Sequence, residues 1–362
     1  MSSSNLDAYD LKEQNLDGLI HEDVMSQIWD VSRIPLPFTD MIGSGSHDNQ
    51  YASWRTDKLQ AASTTGQVVD GADVTGDDTK LGRRIGNHSE IRTKRVEVST
   101  RANNVNTIGY QSELANQLVR RQQELKRDLE ATALSNNASV EGTDTVAGVT
   151  AGLAAWLVAD TDIDGNAVAA GDGNVYRATG GADGGWDATA ANSLVAESTV
   201  AATPEALSET NVRDVLENIY NKGGNVDTSM MRPRIKRLFS EYLFTSSARI
   251  ATMINDSPGG ASEERKAQGS VDVFITDFGT IKLVPNRLQP EYDDGENQSD
   301  YMFLLDSSLL SMSYLQGIRV EPQAKTGLAD KRQMSVDWML KVMNWDGLGG
   351  VADIDATTPM VA

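Results

Sequence analysis

A chain of 362 residues with 39% hydrophobic side chains is long enough for one elaborate domain or two or three modest ones, and too apolar for a disordered polymer. It contains no cysteine, which excludes disulfides, thiol nucleophiles and cysteine metal sites and fits folding in a reducing cytosol. The formal net charge of −20 argues against a free nucleic-acid binder, whose affinity rests on neutralising phosphates, yet suits a protein that sits near DNA without adhering to it.

The opening residues, MSSSNLDAYDLKEQ, lack the basic start and apolar run of a signal peptide, and no stretch of 18 apolar residues predicts a membrane span. Leu16, Ile20, Val24 and Ile28, with Leu19 beside them, predict a short amphipathic helix. Pro35 and Pro37 then exclude a helix and favour an extended path. The first 50 residues read as an arm that lies along something else.

Residues 51 to 104 predict a long projecting hairpin. Asp70, Asp73, Asp77 and Asp78 make one end acidic, whereas Lys80 to Arg101 carries seven basic residues, among them Arg83, Arg84, Arg92, Lys94 and Arg95. In the return half Ile91 falls on one face and Val96 with Val98 on the other, so the ribbon has no clean inward side. An ordinary solvated hairpin is the plainer alternative.

Tyr110 to Asn137 is the longest predicted helix, spanning roughly 38 Å at 1.5 Å per residue. Its apolar stripe is thin: Leu114, Leu118, Leu125 and Leu129, interrupted by Arg121. Nine glycines in residues 148–185 predict a surface loop or insertion. Ser208 is placed to cap a helix with Val212, Val215, Leu216, Ile219 and Tyr220 on one face, ended by Gly223 and Gly224. A further helix starts near Pro233, with Ile235, Leu238, Phe239 and Tyr242 inward. The remainder alternates as strands: Val271, Val273 and Ile275; Ile281 and Leu283; YMFLLD; and Met334, Val336, Trp338, Leu340 and Val342. Without a repeating βαβ rhythm, the class is α+β.

Few motifs point to chemistry. DTDIDG offers Asp160, Asp162 and Asp164 in the spacing of a calcium loop, but Gly171 stands where the bidentate glutamate belongs, so an acidic surface loop is the favoured reading. The DFG at Asp277–Gly279 lacks the other kinase elements and reads as a hairpin turn. GSGSHD reads as a linker, and the acids of PEYDDGENQSD as a solvated loop. His21, His47 and His88 have no nucleophile elbow to serve. No catalytic, cofactor or metal residue is therefore assigned. Trp54 and Trp186, in polar or glycine-rich surroundings, could each anchor another chain or pack within their own.

Several segments, in this order, carry a resemblance: IPLPFTDMIG, YASWRTDKL, IRTKRVEVSTRA, YQSELANQLVRRQQELKRDLEATAL, AGLAAWL, VFITDFGTIKLVPNR and VEPQAKTGLADKRQMSVDWMLKVMN. Together they resemble the major capsid proteins of tailed bacteriophages with the Hong-Kong-97-type fold. The resemblance implies an N-arm over 1–48, an E-loop hairpin over 49–104 and a peripheral domain over 105–204 with its spine helix. It further implies an axial domain over 205–300, with C-terminal strands 301–362 returning to the peripheral domain. It implies hexamers and pentamers of an icosahedral head assembled in a bacterial host's cytoplasm, with portal and separate scaffolding proteins. It leaves room for a decoration protein and for weak, non-specific contact with packaged double-stranded DNA. Trp54, Arg83, Arg84, Arg92, Lys94 and Arg95 are the intersubunit contacts expected on this reading. Two other classes stay open: a calcium-dependent surface or fibre-like binding protein, resting on Asp160, Asp162 and Asp164, and a carboxylate-based hydrolase, for which no acid and base are suitably spaced.

Overall fold

The computed structural model describes residues 35–59, 62, 64–65, 67–71, 82–105, 112–157, 173–187, 194–201, 203–245, 271–293, 298–325 and 327–361. The predicted helix at 16–28, the hairpin's outer residues 72–81 and the DTDIDG segment lie outside them.

In chain order the first half runs through α1 (Pro37–Met41), β1 (Gly43–Ser46), β2 (Tyr51–Thr56), β3 (Arg83–His88), β4 (Glu90–Ser99), α2 (Thr100–Asn104), α3 (Glu113–Ala133) and α4 (Leu153–Trp156). Three two-residue strands follow, β5 (Val175–Tyr176), β6 (Gly185–Trp186) and β7 (Val195–Ala196), then α5 (Glu209–Asn221), β8 (Thr228–Met231) and α6 (Pro233–Thr245). The chain closes with β9 (Val273–Thr276), β10 (Gly279–Pro285), β11 (Tyr292–Asp293), β12 (Gln298–Leu305), β13 (Leu310–Pro322), β14 (Ala329–Val342) and β15 (Gly349–Ile354).

One sheet has the order β1-β13-β14-β4. Its inner face carries Met334, Val336, Trp338, Leu340 and Val342, all buried as the period-two pattern predicts. The long helix α3 lies against β4, where Leu125 and Leu129 join Val96 and Val98 in the same core. The hydroxyl of Ser112 caps α3 by accepting from the Ala115 N–H. Leu114 and Leu118, farther from the packed end, are only partly buried.

The pairing of β4 differs from the hairpin expected for the return half. Residues 83–88 do pair antiparallel with 51–56, but 90–99 pair with β14, from Trp338↔Glu90 to Ala329↔Ser99. The switch of apolar faces has a physical reason here: Val96 and Val98 face the core under α3, whereas Ile91 points to solvent at 68% exposure.

The second sheet runs β5-β15-β12-β8-β10-β9, with β11 beside β12. β12 is central and buried on both faces: Tyr301, Phe303 and Leu305 face the first core, Met302 and Leu304 the second. The second core is closed by Val212, Val215, Leu216 and Ile219 of α5 and by Ile235, Leu238 and Phe239 of α6. Ser208 caps α5 as predicted, and Gly223 ends it at φ +92°. Tyr220, expected inward, is 57% exposed.

β12 runs across position 300 and pairs with β15 while β13 pairs with β14, so residues 301–362 contribute strands to both sheets. Two expectations are corrected. Pro35 and Pro37 do not exclude a helix: Pro37 stands in the first turn of the short helix α1. The glycine-rich stretch is not all surface: Leu153, Ala154, Ala155, Trp156 and Leu157 are fully buried, and Val175 is core. Gly152 lets α4 approach so closely that any side chain there would strike the Ser135 backbone.

Candidate contact surfaces

The β2–β3 ribbon leaves the first sheet through a rigid root. Tyr51 pairs with His88 and Thr56 with Arg83. Asn87 is fully buried, and its amide donates to the Leu340 carbonyl at 2.8 Å and to the Thr150 hydroxyl at 3.0 Å. Its carbonyl accepts the Ala151 N–H at 3.0 Å. The His88 ring lies 4.8 Å from the Tyr51 ring and 3.1 Å from the Ser139 hydroxyl; burial lowers its pKa, against a smaller raising effect of Glu141.

Trp54 is half-buried in this root. Its indole N–H donates to the Val342 carbonyl at 2.9 Å, its ring lies 5.8 Å from that of Trp156, and the Lys341 ammonium sits 5.3 Å from its centroid. Its polar handle and much of its ring surface are thus committed within the chain, which leaves the basic residues as the stronger contact candidates.

The structure splits those basic side chains between two elements, Arg83 and Arg84 on β3 of the ribbon and Arg92, Lys94 and Arg95 on β4 of the first sheet, and each has intrachain company. The Arg83 guanidinium stacks 4.8 Å over Trp186, and Arg84 donates to the Ser53 hydroxyl at 2.8 Å. Arg92 pairs with Glu90 and Arg95 with Glu97 on the same strand; Lys94 reaches Asp128 of α3 at 2.6 Å. The Arg95–Glu97 pair is largely exposed. Such solvent-facing pairs are worth about 0–1 kcal/mol, so they yield readily to a competing partner.

Beyond the root the described residues carry apolar side chains with nothing to cover them: Leu59 is 93% and Val69 79% exposed, and Val68 is exposed beside it. A second uncovered apolar surface lies on β9, at the edge of its sheet. Val273 and Ile275 point outward there while Phe274 packs inside, the reverse of the predicted alternation.

Sequence reasoning missed three buried polar centres. Glu130 of α3 is fully buried and accepts from the Phe38 N–H at 2.9 Å, the Thr39 N–H at 2.9 Å, the Thr39 hydroxyl at 2.6 Å and the Asn286 amide at 2.8 Å. Arg177 is held between Asp183, at 2.6 Å, and Asp353, at 4.0 Å; Asp353 takes the left-handed conformation at φ 53°. Arg232 donates to buried Asp300 at 2.8 Å and also meets Glu291. Burial raises the Asp300 pKa against the opposing Arg232 hydrogen bond, whereas that same guanidinium lowers the pKa of the more exposed Glu291. Only a thin signal marks these in sequence: Glu130 directly follows Leu129, beside the apolar stripe.

Among the described residues no group of three acidic or histidine side chains is arranged to hold a metal. Asp160, Asp162 and Asp164 lie outside those residues.

Known proteins give this geometry a setting. The chain is similar in fold to the capsid of a native gene-transfer-agent (GTA) particle, with a TM-score of 0.56 at 14% identity, over 97% of this chain and all of that one. It is also similar to a chain of the capsid of cyanophage Pam1, with a TM-score of 0.54 at 14% identity, over 99% of this chain and all of that one. The fold is therefore the Hong-Kong-97-type capsid fold. In sequence it is 33% identical over 105 residues to the major capsid protein of Escherichia phage Phieco32, an alignment spanning 29% of this chain and 30% of that relative. None of this supports the calcium-dependent alternative. The profile of the SU10 major capsid protein matches residues 5–355, so the chain belongs to the SU10 major capsid protein family, a structural family of phage shells.

Proposed function

We propose that this chain is the repeating subunit of a tailed-phage head, joining copies of itself as hexamers and pentamers around a double-stranded DNA genome, with no catalysis of its own. One observation carries the reading beyond family membership. The hairpin arms beyond Thr56 expose Leu59, Val68 and Val69, apolar surface that a solitary soluble subunit has no reason to maintain. A neighbouring copy supplies the cover.

In this reading residues 1–48 are the N-arm, 49–104 the E-loop, 105–204 the peripheral domain, and 205–300 the axial domain. The pairing of β4 and β15 argues for adjusting the ends: 90–99 belongs with the peripheral sheet and 349–354 with the axial one. Arg83, Arg84, Arg92, Lys94 and Arg95 meet acidic surface on a neighbour, Arg95 giving up its exposed pair with Glu97 most readily, and a chain of net charge −20 offers such surface widely. Trp54 steadies the ribbon that presents Arg83 and Arg84. Portal and scaffolding proteins complete the assembly, with a place for a decoration protein. The acidic balance keeps contact with packaged DNA weak and non-specific.

Electron microscopy of the chain produced with its scaffolding partner tests this directly. Closed shells of uniform diameter are expected; dispersed single subunits at every concentration and partner ratio would refute it.

A further inference from the structure

Where β3 gives way to β4, a cleft of about 480 Å³ opens on the side of the first sheet away from α3. That volume lies within the range of about 300–1,000 Å³ usual for small-molecule sites. His88 lies at its base, and Ile91 of β4 and Asp337 of β14 stand directly opposite each other beside it. The turn at 142–148 supplies a further wall, with Asp144 and Val146. This wall is fixed in place. Val140 and Val149 bridge its ends, and the Thr143 N–H donates to the Val146 carbonyl at 2.9 Å. Gly148 packs so close that a side chain there would come within 3.0 Å of the Ser89 carbonyl.

The lining holds polar groups that the chain does not use. Among the described residues the side chains of Asp144 and Asp337 make no hydrogen bond or ion pair, and Asp337 Oδ1 is shut off from solvent without a partner. His47 does not neutralise Asp337, because burial lowers the His47 pKa and the raising effects of Asp337 and Asp48 are smaller. His88 is 5% exposed; its Nδ1 lies 3.1 Å from the Ser139 hydroxyl, while Nε2 has no partner among the described residues. The open space that His88 borders is the cleft.

Ile91 and Val146 add exposed apolar surface to these groups. Carboxylates beside apolar walls select a cation with a hydrocarbon body. A bare metal ion fits poorly, since among the described residues no three acidic or histidine side chains are arranged to hold one. An anion is repelled. An alkyl-ammonium suits both halves: its N–H donors meet the carboxylates and the acceptor nitrogen of a neutral imidazole, and its methylenes cover the apolar walls.

We infer that this cleft is a binding site for short aliphatic diamines, one ammonium held by Asp337 and His88 and the hydrocarbon lying over Ile91 and Val146 toward Asp144. Every residue invoked belongs to one subunit, so the inference does not rest on shell formation.

Isothermal titration calorimetry of dilute, unassembled subunits with putrescine tests it, beside ammonium chloride and magnesium chloride. Saturable one-to-one binding of putrescine is expected, at least about ten-fold tighter than that of ammonium, which lacks the hydrocarbon. Asp337→Asn should weaken putrescine about ten-fold. Asp144→Asn and Ile91→Ser, both at exposed positions, should weaken it about three-fold. The chain has only three histidines, and in imidazole NMR spectra the His88 signal should move along the same saturation curve. An unchanged circular-dichroism melt would establish that the variants fold. Equal affinity for magnesium and putrescine would mark diffuse attraction to a chain of net charge −20 and overturn the inference. An unmoved His88 signal, or full affinity in Asp337→Asn and Asp144→Asn, would overturn it as well. So would putrescine that acts only by separating associated subunits in sedimentation velocity, which would assign the cleft to a lysine of a second copy.

Discussion

The side-chain amide of Asn87, at the base of the hairpin, donates to the carbonyl of Leu340 near the C-terminal end of β14 at 2.8 Å, joining positions 253 residues apart. The same side chain holds Thr150 and Ala151, so one buried residue ties the ribbon, the central strand and the glycine-rich segment together. Asn87→Ala leaves the Leu340 carbonyl and Ala151 N–H buried without this partner. A stability loss of about 2–4 kcal/mol is expected in urea unfolding, from a cost of about 1–3 kcal/mol per stranded group. A loss below about 0.5 kcal/mol would show that the root is held elsewhere.

Glu130 offers a sharper substitution, because Gln is nearly isosteric. Both its oxygens accept from donors, so an amide NH2 in place of either oxygen meets a hydrogen-bond donor head-on. Glu130→Gln should cost about 1–3 kcal/mol and speed amide exchange at Phe38 and Thr39. Unaltered exchange at both residues would mean that the carboxylate does not hold α1 in place.

The two described histidines give stability a pH dependence of definite sign. Burial lowers the pKa of both His47 and His88, with Asp337 and Asp48 opposing at His47 and Glu141 at His88. The unfolded chain, titrating near the usual value of about 6.5, then binds protons that the folded chain refuses. Stability should fall as pH drops below about 6.5, until the folded rings are themselves protonated. Asp300 and Asp353, whose pKa values burial raises, act in the opposite direction at lower pH, near about 4. His88→Gln should flatten the slope between pH 7 and 5.5; an unchanged slope would remove His88 from the account.

Charge reversal on β3 and β4 separates folding from assembly. Arg83→Glu, Arg84→Glu, Arg92→Glu and Arg95→Glu together remove intrachain pairs worth little individually. Arg92→Glu is the costliest, since it sets a second carboxylate beside largely buried Glu90. Sedimentation velocity should find folded, soluble subunits that no longer close into shells. Normal particles would show that these cations set no contact between copies.

Much of the fold was legible where one face alone is apolar. Met334 to Val342 and the α5 residues Val212 to Ile219 announce their buried sides by period alone. The β9 strand misled because Val273, Phe274 and Ile275 are apolar on both faces, and periodicity cannot say which one the sheet edge leaves open. The glycines of 148–185 masked the buried Leu153–Leu157 run, since composition averaged over a window hides a short core segment. The pairing of β4 with β14 and the donors around Glu130 depend on residues far away in sequence, beyond the reach of any local pattern. The basic ribbon was visible in sequence, but not that each cation already has an intrachain companion.

The central claim is that the hairpin's outer arms find cover only between copies, and hydrogen–deuterium exchange at the described residues 59, 62, 64–65 and 67–71 addresses it most directly. In free subunits these amides should exchange nearly as fast as in an unfolded peptide. In closed particles the same amides should slow by about 100-fold or more, the signature of a segment packed and hydrogen-bonded against its surroundings. Equal exchange in the two states, or slow exchange already in the free subunit, would contradict the account.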